Sequence, residues 1–219
     1  MKKESKEKPI IATTLSGLFL KSEPWDRAHV LWFQEAAKKL NDNSVLNWID
    51  RSDYFKGVDE VMRRLYPKLN DEKRTIKARE LFFDSVCKYI KQNPDVKNEE
   101  IISYFNSLKP KFRIALITTN TKKAVNKILL ILKMSSFFNI IEASKVNEKD
   151  DKKIVFERFI KKYGKPVVYI GGGRKDSYDY CAEHKINRIF ANFEMYEEIK
   201  DVKSVHNLFE LKKAVSKII

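Results

Sequence analysis

KPIIATTLSGLFLKSEPW, running from Lys8 to Trp25, is the stretch on which the reading of this chain turns. It opens on an apolar run, Pro9 to Leu15, that stops at Ser16-Gly17, the pattern of a buried strand entering a turn. From Asp26 to Asn93 the texture is helical. DRAHVLWFQEAAKKL sets Val30, Leu31, Phe33, Ala37 and Leu40 near one face. GVDEVMRRLYP stops at Pro67, and NDEKRTIKARELFFDSVCKYIKQNP starts on an Asn/Asp cap and stops before Pro94. All three Trp residues fall in or beside this region, and aromatic residues in a helical bundle read as core packing.

After Pro94 strands and helices alternate. The apolar runs in FRIALITTN, FFNIIEASKV, KPVVYIGGG and NRIFANF are separated by helix-patterned segments, and VHNLFELKKAVSKII closes the chain as a helix. Alternation of this kind builds βαβ units. The expected fold is therefore α/β: a Rossmann-like parallel sheet with helices on both faces, plus an inserted α-helical cap. The expected division is a core of residues 1–20 and 95–219 and a cap of residues 21–94. The first strand should lie parallel to the strand at Arg113–Thr118 although about a hundred residues separate them.

The 219 residues are 43% hydrophobic and 34% charged, a globular and not a disordered profile. The net charge of +14 is spread along the chain, which reads as a solvated surface that attracts anions. Only a clustered basic face would favour nucleic acid. Cys87 and Cys181 show no CxxC spacing, and His29, His184 and His206 are isolated, so no disulfide framework or zinc site follows. MKKESKEK before an apolar run mimics a signal peptide, but Thr13, Thr14, Ser16 and Gly17 interrupt that run and no small-residue cleavage site follows. No apolar run approaches the ~20 residues that span a membrane. A cytoplasmic protein is expected.

Four segments, in order and suitably spaced over nearly the whole chain, make it resemble the haloacid dehalogenase superfamily, in its branch with a helical cap after the first strand. KPIIATTLSGLFLKSEPW stands where that family has an apolar strand, DxDGTL or DxDGTV, and a DSEP-like start to the cap. FRIALITTNT resembles its second strand with a Thr/Ser-Asn turn. KDDKKIVF stands at its Lys-Pro-Asp-Pro segment, and VYIGGGRKDSYDYCAEHKI at its IGDxxxD strand and helix. The resemblance implies an aspartyl nucleophile, a second Asp as general acid and base, Mg²⁺ held by these and one or two later Asp residues, and a Thr/Ser and a Lys on the phosphoryl oxygens.

Aligned without a gap, Thr13 takes the nucleophile position and Leu15 the acid/base position, with a small insertion before Ser22-Glu23-Pro24. No Asp or Glu lies between Lys8 and Lys21. Gly171 fits the family Gly, Gly172 replaces the first late Asp, and Asp176 matches the second. Thr119, with Thr118 as its competitor, fits the phosphate-binding hydroxyl; Asn120 follows it. Lys149, with Lys152 as its competitor, fits the Lys. Each has a plainer reading: Thr119-Asn120-Thr121 as a helix cap, Gly171-Gly172-Gly173 as a tight turn, Asp176 as an ordinary first-turn acid. A lone Asp176 holds Mg²⁺ poorly, so no metal or other cofactor is expected. The expectation is a non-catalytic protein that binds phosphate or a phosphorylated small molecule. The alternatives are a divergent phosphatase and a basic accessory module on nucleic acid.

Overall fold

Ile10–Thr13 is a strand buried at every position, β1, and it lies at the middle of the sheet. Strands covered on both faces are apolar without alternation, which is why this one reads as a continuous run. In the computed structural model, which describes residues 7–51, 53–148 and 150–219, β1 pairs in parallel with β2, Arg113–Thr121. The register runs Ile10 to Arg113 through Thr13 to Leu116. On its other side β1 pairs in parallel with β4, Val168–Gly171. β3 (Ile140–Ser144), β5 (Asn187–Ala191) and β6 (Lys203–Val205) complete a parallel sheet of order β3-β2-β1-β4-β5-β6.

Two helices cover one face of the sheet, α6 (Lys152–Tyr163) and α7 (Lys175–Glu183), packed on Ile10, Ala12, Ala115, Ile117 and Tyr169. The other face carries Ile11, Ile114, Leu116 and Ile170, buried with α4 (Glu99–Leu108), α5 (Lys122–Ile131) and α8 (Leu208–Val215). Between β1 and β2 the chain inserts α1 (Glu23–Leu40), a 3₁₀ turn (Asn43–Trp48), α2 (Tyr54–Leu65) and α3 (Asp71–Gln92). These helices bury a core of their own around Trp32, Phe33, Ala36, Val45, Val61 and Met62.

Three expectations need correction. The first strand stops at Thr13, not Leu15: Phe19 and Leu20 donate their N–H groups to the Leu15 carbonyl, which turns Leu15 into the core. The buried face of α1 is Ala28, Trp32, Phe33, Ala36 and Ala37, while Val30 and Leu31 are half-buried, so the apolar stripe lies about one residue away from the expected one. The sixth strand was missed because only Val205 of its three residues is buried, too little for a period to show.

Candidate functional site

The C-terminal ends of β1, β2 and β4 open toward the inserted helices, where open parallel sheets place ligands. A cleft of about 1240 Å³ lies there. Its floor is made by the loop after β1. Thr13 is fully buried, its hydroxyl donating to the Ala115 carbonyl at 2.7 Å. Thr14 and Ser16 are half-buried and line the cleft, because the chain alternates as it leaves the strand. Gly17 then takes φ +73°, open to glycine at little cost. It abuts Gly172, where an added Cβ would stand 2.7 Å from the Gly17 Cα and 2.8 Å from the Ser16 carbonyl oxygen. The loops after β1 and β4 are thus in backbone contact. Gly172→Ala is expected to destabilise the protein by about 1–3 kcal/mol, the usual range for overpacking; a urea midpoint equal to wild type would sink this account of the contact.

One wall is a cluster of charges around Arg174, the N-cap of α7. Its Nε donates to both oxygens of Asp176 at 3.1 and 3.0 Å. One terminal nitrogen donates to Thr119 Oγ1 at 3.1 Å and to Asp150 Oδ1 at 2.9 Å, and the other to the Asp150 carbonyl at 3.1 Å. Partial desolvation works to raise the Asp150 carboxyl. Hydrogen bonds from Arg174 and Thr119, with the charges of Arg174 and Arg79, outweigh it and hold the group below the usual carboxylate range. Behind this wall Lys152 is buried, and its Nζ donates to the Ile117 carbonyl at 2.5 Å. Burial first, and the Arg174 charge second, bring its ammonium down to about 7.

The inserted helices supply the opposite surface. Arg79 of α3 reaches down and donates to the carbonyls of Val146 at 3.0 Å, Glu148 at 2.9 Å and Thr119 at 3.0 Å. Trp25, Trp32, Tyr54, Phe55 and Phe82 give this side its aromatic character. His29 packs against Tyr54 and Phe82 with ring centroids 4.9 and 4.7 Å away, and burial lowers its pKa, favouring the neutral ring. Where the chain passes from the β1 loop into α1, Ser22 donates through its N–H and its hydroxyl to Glu194, at 2.9 and 2.7 Å. Ser16 Oγ donates to Ser22 Oγ at 3.2 Å, and Tyr196 donates to Glu194 at 3.2 Å. Burial, and then the charges of Glu194 and Glu23, raise the nearby Asp26 carboxyl.

Solved structures share this fold. A predicted phosphatase from Clostridium acetobutylicum superposes with a TM-score of 0.64 at 17% identity, covering 96% of this chain and 99% of its own. A HAD phosphatase from Thermococcus onnurineus gives 0.63 at 16%, covering 95% and 97%. A 2-haloacid dehalogenase from Pseudomonas syringae gives 0.60 at 15%, covering 96% and 99%. The chain has the haloacid dehalogenase fold. No family model matches the sequence, and no curated protein does.

On this haloacid dehalogenase scaffold the residues singled out from the sequence separate. Thr119 lies at the cleft with Asn120 beside it, and the cap of α5 falls instead to Thr121, whose hydroxyl accepts from the Ala124 N–H at 3.3 Å. Thr118 is buried, its Oγ1 accepting from the Asn120 N–H at 3.1 Å. Lys149 lies outside the described residues; its competitor Lys152 is at the cleft wall. Asp176 is bound to Arg174. Thr13 and Leu15 do not have the placement the alignment gave them: Thr13 is sealed against Ala115, and Leu15 is buried in the core. Of the hydroxyl residues at the end of β1, Thr14 and Ser16 line the cleft and Thr13 does not. Sequence reading missed these two, with Arg79, Asp150, Arg174 and Glu194. A signal for the first pair existed, since Gly17 matched to the family glycine puts Thr14 and Ser16 at the acid positions without any insertion. The charged residues carried no such signal.

Proposed function

We propose that this protein binds a small anion, a phosphate or a phosphorylated metabolite with an apolar or aromatic body, in the cleft of a haloacid dehalogenase fold whose carboxylate chemistry has been lost. The reading rests on one observation: the loop after β1 turns two hydroxyls, Thr14 and Ser16, toward the cleft where the fold's hydrolases need two carboxylates. In this register Thr14 stands at the nucleophile position and Ser16 at the acid/base position, and Ser22-Glu23-Pro24 follows in step. A threonine hydroxyl with no adjacent base is a weak nucleophile.

With Arg174 in place, the donor set does not suit Mg²⁺. Hard divalent cations take six or more oxygens, several of them charged. Among the described residues no group of three or more His, Cys, Asp or Glu is placed to hold a metal ion, and Asp176 already binds a guanidinium. Anion binding is supported by the Thr119 hydroxyl and by the guanidinium groups of Arg79 and Arg174 that line the cleft, and an apolar body by the aromatic side contributed by α1, α2 and α3. The helices between β1 and β2 serve in this reading as the cap domain, residues 21–94, over a core of 1–20 and 95–219.

The nucleic-acid alternative finds less support. Surface cations pair with carboxylates on scattered elements, as in Lys88 with Glu35, Lys127 with Asp84 and Lys175 with Asp179. Among the described residues no helix is long and apolar enough to cross a membrane. Cytoplasmic residence belongs to the proposal and is supported by two free, buried cysteines.

Thermal shift with aryl and alkyl phosphates in a chelator tests the reading. A ligand at a hundredfold excess over its Kd adds about 2.7 kcal/mol, a Tm rise of about 5–10 °C for a chain of this size. Thr119→Ala should reduce that rise. Magnesium-dependent turnover of the same esters, lost in Thr14→Ala, would make the protein an enzyme and overturn the proposal.

A further inference from the structure

Three loops of the cleft converge on one guanidinium. The β2 end supplies the Thr119 hydroxyl, the loop before α6 supplies the carboxylate and carbonyl of Asp150, and α7 supplies the carboxylate of Asp176. All five acceptor atoms are oxygens, two carboxylates are among them, and the distances are 2.9–3.1 Å. Oxygen donors of this kind gathered from separate loops are what a hard divalent cation selects. Here Arg174 already fills that centre. A guanidinium does not deprotonate in a protein and presents five N–H groups in a fixed plane, so it satisfies several oxygens at once and keeps its charge at every physiological pH.

We propose that Arg174 is the resident cation of this cleft: it holds the oxygens that a divalent metal would need, excludes the metal, and keeps a protonated guanidinium beside Thr119 at every physiological pH. The other charged groups around it fit that role. Arg79 faces the same loop through backbone carbonyls and leaves the carboxylates to Arg174. Lys152 lies behind, and its ammonium is disfavoured by burial and by the Arg174 charge. A divalent ion added to these cations would meet carboxylates already engaged by Arg174. The consequence is a cleft whose affinity for anions is independent of metal.

The inference goes beyond the binding reading and is tested separately from it. Mn²⁺ is titrated into the full chain, and the free aquo ion is followed by electron paramagnetic resonance. Wild type should bind Mn²⁺ only weakly, at the level set by its exposed carboxylates. Arg174→Ala and Arg174→Met should each bind Mn²⁺ at least about tenfold more tightly than wild type, since the vacated centre keeps its oxygens. The double variant Arg174→Met, Asp150→Asn should lose that gain. Where a single variant is destabilised, Mn²⁺ should raise its Tm and leave that of wild type unchanged. Tight Mn²⁺ binding by wild type that Asp176→Asn abolishes would overturn the proposal, and so would variants whose Mn²⁺ affinity and Mn²⁺-dependent Tm match wild type. A parallel titration of wild type with inorganic phosphate in chelator separates the two readings. A phosphate-induced Tm rise unchanged by Mn²⁺ supports a metal-independent anion site. A rise that appears only with Mn²⁺ overturns the resident-cation role. Absence of any rise with phosphate or its esters sinks the binding function and leaves the Mn²⁺ contrast to decide Arg174.

Discussion

Thr13→Asp is expected to unfold the protein, whereas Thr14→Asp is expected to leave it folded. The two residues are adjacent, and their surroundings are opposite. Thr13 is fully buried and its hydroxyl donates to the Ala115 carbonyl. A carboxylate there would lose its hydration and face an acceptor oxygen, with no cation in bonding contact. An uncompensated buried charge costs about 3–5 kcal/mol, a large share of the ~5–15 kcal/mol that separates folded from unfolded states. Thr14 is half-buried and faces the cleft, so an acid there keeps water and costs about 1 kcal/mol or less. Urea unfolding of both variants checks this. Equal loss of stability in the two would show that the strand-end register is not as described. Thr14→Asp combined with Ser16→Asp should still not hydrolyse phosphate esters, because Gly172 brings no carboxylate and Arg174 holds Asp176.

Lys152→Met is expected to flatten the rise in stability that wild type shows between about pH 7 and pH 10.5. The sign follows from the shift. The Lys152 ammonium is depressed to about 7 in the folded protein from an ordinary value of 10.5. Between those values the unfolded chain binds more protons than the native one, and stability therefore increases with pH, by at most about 1.4 kcal/mol per unit. Below pH 7 both states are protonated, and the full cost of a buried ammonium is carried. Methionine fills similar volume without the charge, so the variant should be the more stable at pH 6 and should lose its advantage toward pH 10. Burial also raises Cys181 to about 12 and pushes the Tyr169 phenol up, which works against stability at alkaline pH. Both groups remain in the variant; Cys181 feels the Lys152 charge, and losing that charge pushes its thiol further up, so between pH 7 and 10 it stays protonated in both folded proteins and the difference reports Lys152. A difference that does not change between pH 7 and 10 would show that the lysine titrates normally.

The sheet could be read from the chain because its information is local and repeated. Each strand but β6 carries an apolar run, and the β1–β2 pairing across the helical insertion follows from the need to bury both faces of Ile10–Thr13. The candidate site was legible only in part. Two threonines in succession give the eye no reason to choose which one ends the strand. The choice is made by Gly17 and by the turn that carries Leu15 inward, and both depend on what the loop after β4 allows. The place of Thr119 at the cleft could be read because it lies at the end of a strong strand. The cluster around Arg174 could not, since Asp176 is two residues on but Asp150 and Thr119 come from distant segments that no spacing in the sequence brings to it. The burial of Lys152 was hidden among neighbouring lysines for the same reason: burial is a property of the packed helix, not of the residue.

The contact between Gly17 and Gly172 also constrains any attempt to place new chemistry in this cleft. An acid at position 172 would need a wider gap between the two loops, because the neighbouring backbone stands where its side chain would begin. Single substitutions are then blocked: an acid at 172 meets the opposite loop before it can reach any ligand. Installing one needs coordinated change in both loops, and a laboratory effort to build hydrolysis on this chain has to begin by lengthening or re-routing the loop after β4.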